Sequence, residues 1–342
     1  MILLCRATGT ARNDNMMETM ARKDIHVPHD FFEYIRVGDS VPPPSRDRID
    51  VLLLDMNHDW PNLGHNSLVH AVLEAAEQFR ASLVSAEMKV RALSFDVRRR
   101  LLMPAVPNGQ FSLYIGTGGP GHLDPRKNDG QAPWSQGIRE SSEWEAPLFR
   151  LFDSILDNER AALIGVCHTF GLMCRWSGTA RAELRDVKSS GMPWNALTSD
   201  AINHPWFSRF AETLPDRRHY RVIDNRLFDL VLEQKKFTPI AFESENSDAP
   251  VTMIEFARAG DVPRVLGMNH HPEIIDRQHL RRVLEAKRAR GEVSDAWYRE
   301  RRNTIENEMT GDAERQSRIT SEYTLLAPLR AHLERMIEER VR

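Results

Sequence analysis

The chain has 342 residues, 41% of them hydrophobic and 28% charged, with a net charge of −3. That length supports a substantial core and allows two domains. The near balance of charge gives no basic field for nucleic acid, and no apolar run approaches the roughly 18 residues of a membrane span. Three cysteines, Cys5, Cys167 and Cys174, make no disulfide framework, so a cytoplasmic location is expected.

Residues 1–45 read as a polar N-terminal extension, either disordered or partly ordered by packing of Phe31, Phe32 and Tyr34 on the domain. They carry Met16, Met17 and Met20 and close on Val41-Pro42-Pro43-Pro44-Ser45, a stiff run that marks a boundary. The apolar start, residues 1–5, is too short for a signal peptide. From 46 to 276 the pattern alternates as a parallel α/β domain should. Residues 51–54 form a continuous apolar strand, 68–79 have helical spacing, and 90–95 and 113–115 are further strands. The stretch 121–142 is rich in Gly, Pro, Asp and Gln and long for a plain connection, which suits a loop over a pocket. A helix over 145–156 precedes a short buried strand at 161–166, and a helix follows from His168 toward Trp176. Residues 237–242, 251–256 and 265–268 read as strands. The remainder, 277–342, changes character. It reads as a helical C-terminal appendage over 278–290, 294–307 and 321–341, dense in Arg and Glu, with Leu325, Leu329, Leu333 and Met336 spaced for one buried face. Its charges are either a solvated face or a docking surface for a partner.

Three segments carry chemistry. In Gly165-Val166-Cys167-His168, an apolar strand ends on a cysteine where a helix begins. The unpaired N–H groups of a helix N-terminus favour thiolate there, and Gly165 permits a sharp turn. Against this stands a buried structural cysteine, the fate also expected of Cys174, seven residues on along one helical face. Downstream, Asn269-His270-His271-Pro272-Glu273 offers a base, a proline that fixes the backbone and a carboxylate that could orient the base. Upstream, Gly116-Thr117-Gly118-Gly119-Pro120-Gly121 ends a strand on glycines whose amides can converge on an oxyanion. No Gly-Lys-Ser/Thr follows, so a nucleotide loop is disfavoured. His58, His65 and His70 lack metal-ligand spacing, and neither metal nor cofactor is called for. The tryptophans, Trp60, Trp134, Trp144 and Trp194 among them, read as packing residues.

Glycine cluster, cysteine turn and His-Pro-Glu, in this order, resemble the class I glutamine amidotransferase family from about residue 49 to 275. Ile49-Asp50-Val51-Leu52-Leu53-Leu54-Asp55 is similar to the family's first strand, His204-Pro205-Trp206-Phe207 to its His-Pro-Leu-Phe stretch, and Pro239-Ile240-Ala241-Phe242-Glu243-Ser244 to the strand before the last motif. The resemblance implies a flavodoxin-like fold, an open parallel sheet flanked by helices, with a triad at the carboxyl ends of the strands. The triad would be Cys167, His271 and Glu273, with the oxyanion and substrate held at Gly118, Gly119 and His168. His271 rather than His270 would be the base. The implied reaction releases ammonia from glutamine, a small-molecule substrate, for a separate synthetase or acceptor subunit. The chain departs from the family where the usual Gly-x-Cys-x-Gly-His-Gln has Thr169 two places past the cysteine and Gly171 in place of a glutamine that helps bind substrate. The family's Ser-His pair is replaced near Ile223-Asp224-Asn225-Arg226-Leu227-Phe228. A homoserine-type acyltransferase, related in fold and also using Cys, His and Glu, or a regulatory module of the same fold without turnover, stand as alternatives.

Overall fold

A computed structural model describes residues 29–246 and 248–341. Cys5 and the methionines at 16, 17 and 20 lie outside the described residues. In chain order the first half comprises β1 (Phe32–Arg36), β2 (Arg48–Asp55), α1 (Gly64–Glu77), α2 (Arg80–Ser85), β3 (Lys89–Asp96), β4 (Phe111–Gly116), α3 (Glu145–Asp157), β5 (Ala162–Val166) and α4 (His168–Ser177). The second half comprises β6 (Ala180–Gly191), β7 (Trp194–Leu197), α5 (Ser199–Ile202), α6 (Phe207–Thr213), β8 (His219–Arg221), β9 (Asp224–Leu232), β10 (Thr238–Phe242), β11 (Val251–Ala259) and β12 (Val262–Met268). The helices α7 (Arg277–Ala289), α8 (Asp295–Asn303), α9 (Gly311–Ser321) and α10 (Ala327–Val341) complete it.

A ten-stranded sheet runs β1-β3-β2-β4-β5-β12-β11-β10-β7-β8. Pairing is parallel from β1 through β12 and antiparallel from β12 to β8. The parallel sheet flanked by helices is therefore present, extended by an antiparallel wing. The wing follows from short connections: β11 and β12 are joined through Gly260 and Asp261 alone, with Gly260 at φ 60°, and a two-residue turn allows only an antiparallel pair. The β2 strand is buried on both faces, as an apolar run in a parallel sheet must be. Val51 and Leu53 join one core with α1 and α10, while Leu52 and Leu54 join the other with α3 and α4.

Both flanking segments pack on the sheet domain. In the N-terminal extension β1 pairs in parallel with β3, and Phe31 and Phe32 are buried, which is the ordered one of the two alternatives for this segment. The proline run lies against the sheet's amino edge, where the Pro43 carbonyl accepts from Arg91 Nη2 at 3.1 Å. Residues 277–341 form the helical C-terminal segment, with its expected buried face. Leu325, Leu329, Leu333, Met336 and Ile337 sit in the same core cluster as Val51 and Leu68, so the spaced apolar positions meet the sheet's own helix layer. Beside the sheet, β6 and β9 form a separate two-stranded ribbon that the sequence reading did not anticipate. Among the described residues, no helix is long and apolar enough to cross a membrane.

Candidate active site

Cys167 stands between β5 and α4 at φ 48° and ψ −101°, a conformation an L-residue adopts only under constraint. The constraint is visible: its N–H donates to the Met268 carbonyl at the end of β12 at 2.7 Å, and its own carbonyl accepts from Gly171 N at 2.9 Å. Three glycines at one register make room for the turn. Gly116, Gly165 and Gly267 lie side by side across β4, β5 and β12. A Cβ on them would overlap Thr169, Met173 and Phe170 respectively, so α4 rests directly on the sheet only because all three lack one. Thr169, the departure two places past the cysteine, is a strut: its hydroxyl and its N–H both bond the Thr117 carbonyl.

His271 follows β12 and is held by a backbone bond from its N–H to the Ile223 carbonyl at 2.8 Å. Its Nδ1 lies 2.8 Å from Glu273 Oε1, so Nδ1 carries the proton that the carboxylate accepts. Its Nε2 has no oxygen or nitrogen partner among the described residues, and the group acting on it is the Cys167 sulfur. Burial opposes charge on this ring, but the Glu273 carboxylate and then the Cys167 sulfur outweigh burial and hold its pKa well above the usual histidine range. Glu273 is sealed from solvent. A Cβ at Gly64 would sit 2.9 Å from its Oε1, so only glycine lets α1 begin so close.

The glycine loop closes over the pair. A Cβ on Gly118 would lie 3.0 Å from His271 Cε1 and 3.4 Å from Cys167 Cβ. Thr117 Oγ1 accepts from Met56 N and Asn57 Nδ2 and donates to the Gly118 carbonyl, fixing the loop's start. Buried Arg98 bonds the carbonyls of Met56 and Pro120 and pairs with Glu140, which ties the 121–142 segment to the same loop. The His168 N–H is the first of α4 and so has no intrahelical acceptor. Its ring is buried, and burial, then Arg98, keeps it uncharged far below the usual range.

Cys167, His168, Gly118, Gly119 and His271 line one cavity of about 210 Å³, with Glu273 directly behind His271. The structure thus brings together all six residues singled out in the sequence. The cavity also has walls that the sequence reading missed. Lys188 comes from β6, Asp224 to Phe228 from β9, and Trp297, Glu300 and Arg301 from α8. The segment at 223–228 was noted only as a departure, and α8 reads as solvated charge; its one pointer was Trp297 amid Arg and Glu. Lys188 is an exposed residue of this wall; partial desolvation of its ammonium, then the Arg301 guanidinium, holds it below its ordinary range.

Other candidates go elsewhere. His270 turns into the core against Tyr220, and burial pushes it down to about 3. Cys174 is buried in the α4 core, where burial raises its thiol far above the usual range. His204 closes the start of α6: Nδ1 accepts from Trp206 N at 3.1 Å, so Nε2 donates to Glu255. His65 meets Tyr34, while His70 stacks on His279. Of the tryptophans, Trp144 is buried, but Trp60 lines the cavity and Trp134 and Trp194 are exposed.

No protein-family model matches the sequence, and no curated protein matches it. Among solved structures, the chain is similar to a glutamine amidotransferase from Thermotoga maritima, at 18% identity and a TM-score of 0.48, over 84% of this chain and 98% of that one. It is also similar to a glutamine amidotransferase from Methylobacillus flagellatus, at 13% identity and a TM-score of 0.42, over 86% of this chain and 94% of that one. At such values the likeness is one of architecture, and chemistry has to come from the residues themselves.

Proposed function

We propose that this chain is a thiol-dependent amidase of the glutamine amidotransferase type, which hydrolyses the side-chain amide of glutamine and supplies ammonia to a separate acceptor or synthetase subunit. The observation that carries this reading is the strained Cys167 turn facing a His271–Glu273 pair at 2.8 Å across one glycine-walled cavity. His271 takes the Sγ proton, and the sulfur forms a bond to the carboxamide carbon while the carbonyl electron pair moves onto oxygen. That oxygen rests on the N–H groups of Gly119 and His168. His271 then gives its proton to nitrogen, the C–N bond breaks and ammonia leaves. Water, deprotonated by His271, attacks the thioester, the C–S bond breaks and the carboxylic acid departs. Glu273 keeps Nδ1 protonated throughout and stabilises the imidazolium.

Glutamine-dependent release of ammonia and glutamate by the purified protein, abolished in Cys167→Ser, is the expected result; no release from the wild-type protein refutes the reading. One observation favours a second reading. At Gly171, where the resembling family keeps its substrate-binding glutamine, a side chain would overlap Leu123 from the 121–142 loop. A thiol acyltransferase would retain the triad without that contact, and thioester formation on Cys167 from an acyl-CoA, with glutamine inert, would select it.

A further inference from the structure

The wall contributed by the ribbon and α8 carries charge that amide hydrolysis does not use. Lys188 stands where the β6–β9 ladder lapses between Leu184 and Ser189, and such a bulge turns side chains out of the ribbon. Among the described residues, no hydrogen bond or ion pair engages its ammonium; the groups whose charge it feels are Arg301, Glu300, the Cys167 sulfur and Asp224. Arg301 is mostly buried, with one nitrogen 2.9 Å from Glu300 Oε1 and another 3.3 Å from Asn225 Oδ1. A guanidinium has five N–H donors, so these two bonds leave capacity unused. Arg226 differs, being engaged by Asp224, Asp229 and Glu243. Two cations with spare donors therefore share a cavity with the thiol and lie within each other's field. Glu300 and Asp224 offset part of this charge, and the spare N–H donors are what an incoming carboxylate would engage.

We infer that Lys188 and Arg301 grip a carboxylate of the substrate, and that the cavity thereby selects carboxamides bearing a free anionic group over neutral ones. The inference rests on the amidase reading and locates the recognition that Gly171 and Leu123 remove from the elbow. Glu300 and Asn225 are positioning residues, since they orient the guanidinium.

Hydrolysis of L-glutamine is compared with hydrolysis of L-glutamine α-amide, whose carboxylate is masked, in the wild-type protein, Lys188→Ala and Arg301→Ala. A charge-assisted contact predicts that the wild-type protein prefers glutamine about ten- to hundredfold in kcat/KM, chiefly through KM, and that each variant loses most of this preference. A variant that merely misfolds would lose both substrates together, so the ratio reads recognition alone. A preference that survives in both variants overturns the inference while leaving the amidase reading intact. If glutamine is not turned over at all, the amidase reading fails, and a second measurement still decides the charge. Cys167 is alkylated with anionic iodoacetate and neutral iodoacetamide, the modified peptide is quantified, and the rate ratio is compared with that of glutathione. A ratio raised severalfold above glutathione that falls in Lys188→Ala and Arg301→Ala supports the anion grip; an equal ratio in all three proteins overturns it.

Discussion

Glu273→Gln is the substitution on which the proposed chemistry leans most. The glutamine keeps the shape of a fully enclosed side chain, and the backbone bond that seats His271 on Ile223 does not involve it. What is lost is a negative charge 2.8 Å from Nδ1. At an effective dielectric of about 20, a full charge pair at that separation is worth at most about 6 kcal/mol. A triad that loses its carboxylate forfeits about a thousand- to ten-thousandfold in kcat, roughly 4–5.5 kcal/mol, which lies within that ceiling. The pH dependence moves as well. Burial disfavours the imidazolium while Glu273 and Cys167 favour it, so removing Glu273 lets burial dominate and the His271 limb of the kcat/KM profile shifts to lower pH. Initial rates of glutamate release across pH 5 to 9 measure both effects, and circular dichroism checks that the fold is kept. A fall of less than tenfold with an unmoved limb would mean that Glu273 does not govern His271.

Gly191 ends β6 at φ 87° and faces the carboxylate of Glu308, which Asn303 and Thr304 hold from the other side. Gly191→Ala should cost about 1–3 kcal/mol, mostly from the left-handed backbone, and should raise KM by displacing the α8 wall; an unchanged thermal midpoint would refute it. Buried His270, His279 and His332, pushed down to about 3, 4 and 4, stay neutral in the folded protein while the unfolded chain takes up protons near pH 6.5. Their stabilisation is therefore complete above pH 6.5 and declines as pH falls toward 4, by at most about 1.4 kcal/mol per pH unit for each. His332→Gln should flatten that decline in a urea titration series, and an identical slope would count against the assignment.

The proposed site was legible because its parts are local. A buried strand, a glycine and a cysteine occur within a few residues, and the strand-to-helix turn at Cys167 follows from that order alone. His271 and Glu273 are two residues apart, so their contact needs only one fixed proline between them. The strands over 51–54 and 113–115 declare themselves by being apolar on both faces, the mark of a parallel sheet with two cores. The rest is assembled at long range. Packing of Phe31, Phe32 and Tyr34 was one of two alternatives, but the pairing of β1 with β3 was not legible beside a proline run that resembles a linker. The ribbon hid because β6 mixes charged and small residues, with only Ala180, Ala182 and Leu184 alternating as an apolar face. In α8 Tyr298 is buried and Trp297, Glu300 and Arg301 line the cavity amid other Arg and Glu residues, and nothing in the order of residues says that position 301 meets position 225.

That division has a mechanical basis. Gly116, Gly165 and Gly267 must be glycine together, since a Cβ on any one would lift α4 from the sheet and move Cys167 away from His271 and the Gly118 loop. The groups of the proposed triad are thus set by three adjacent strands buried in the core, where a shift of a few tenths of an ångström is resisted by close packing. Lys188, Asn225 and Arg301 stand instead on a ribbon and a peripheral helix, with one hydrogen bond, Arg301 to Asn225, between them. On the proposed reading, substitution there changes what the cavity admits while the thiol, imidazole and carboxylate keep their spacing. The sequence resemblance to glutamine amidotransferases is carried by the rigid part; its departures are Thr169, packed on Gly116 and the Thr117 carbonyl, and Gly171, which faces Leu123. Specificity in this protein should therefore be sought in the ribbon and α8, and reactivity in the glycine row.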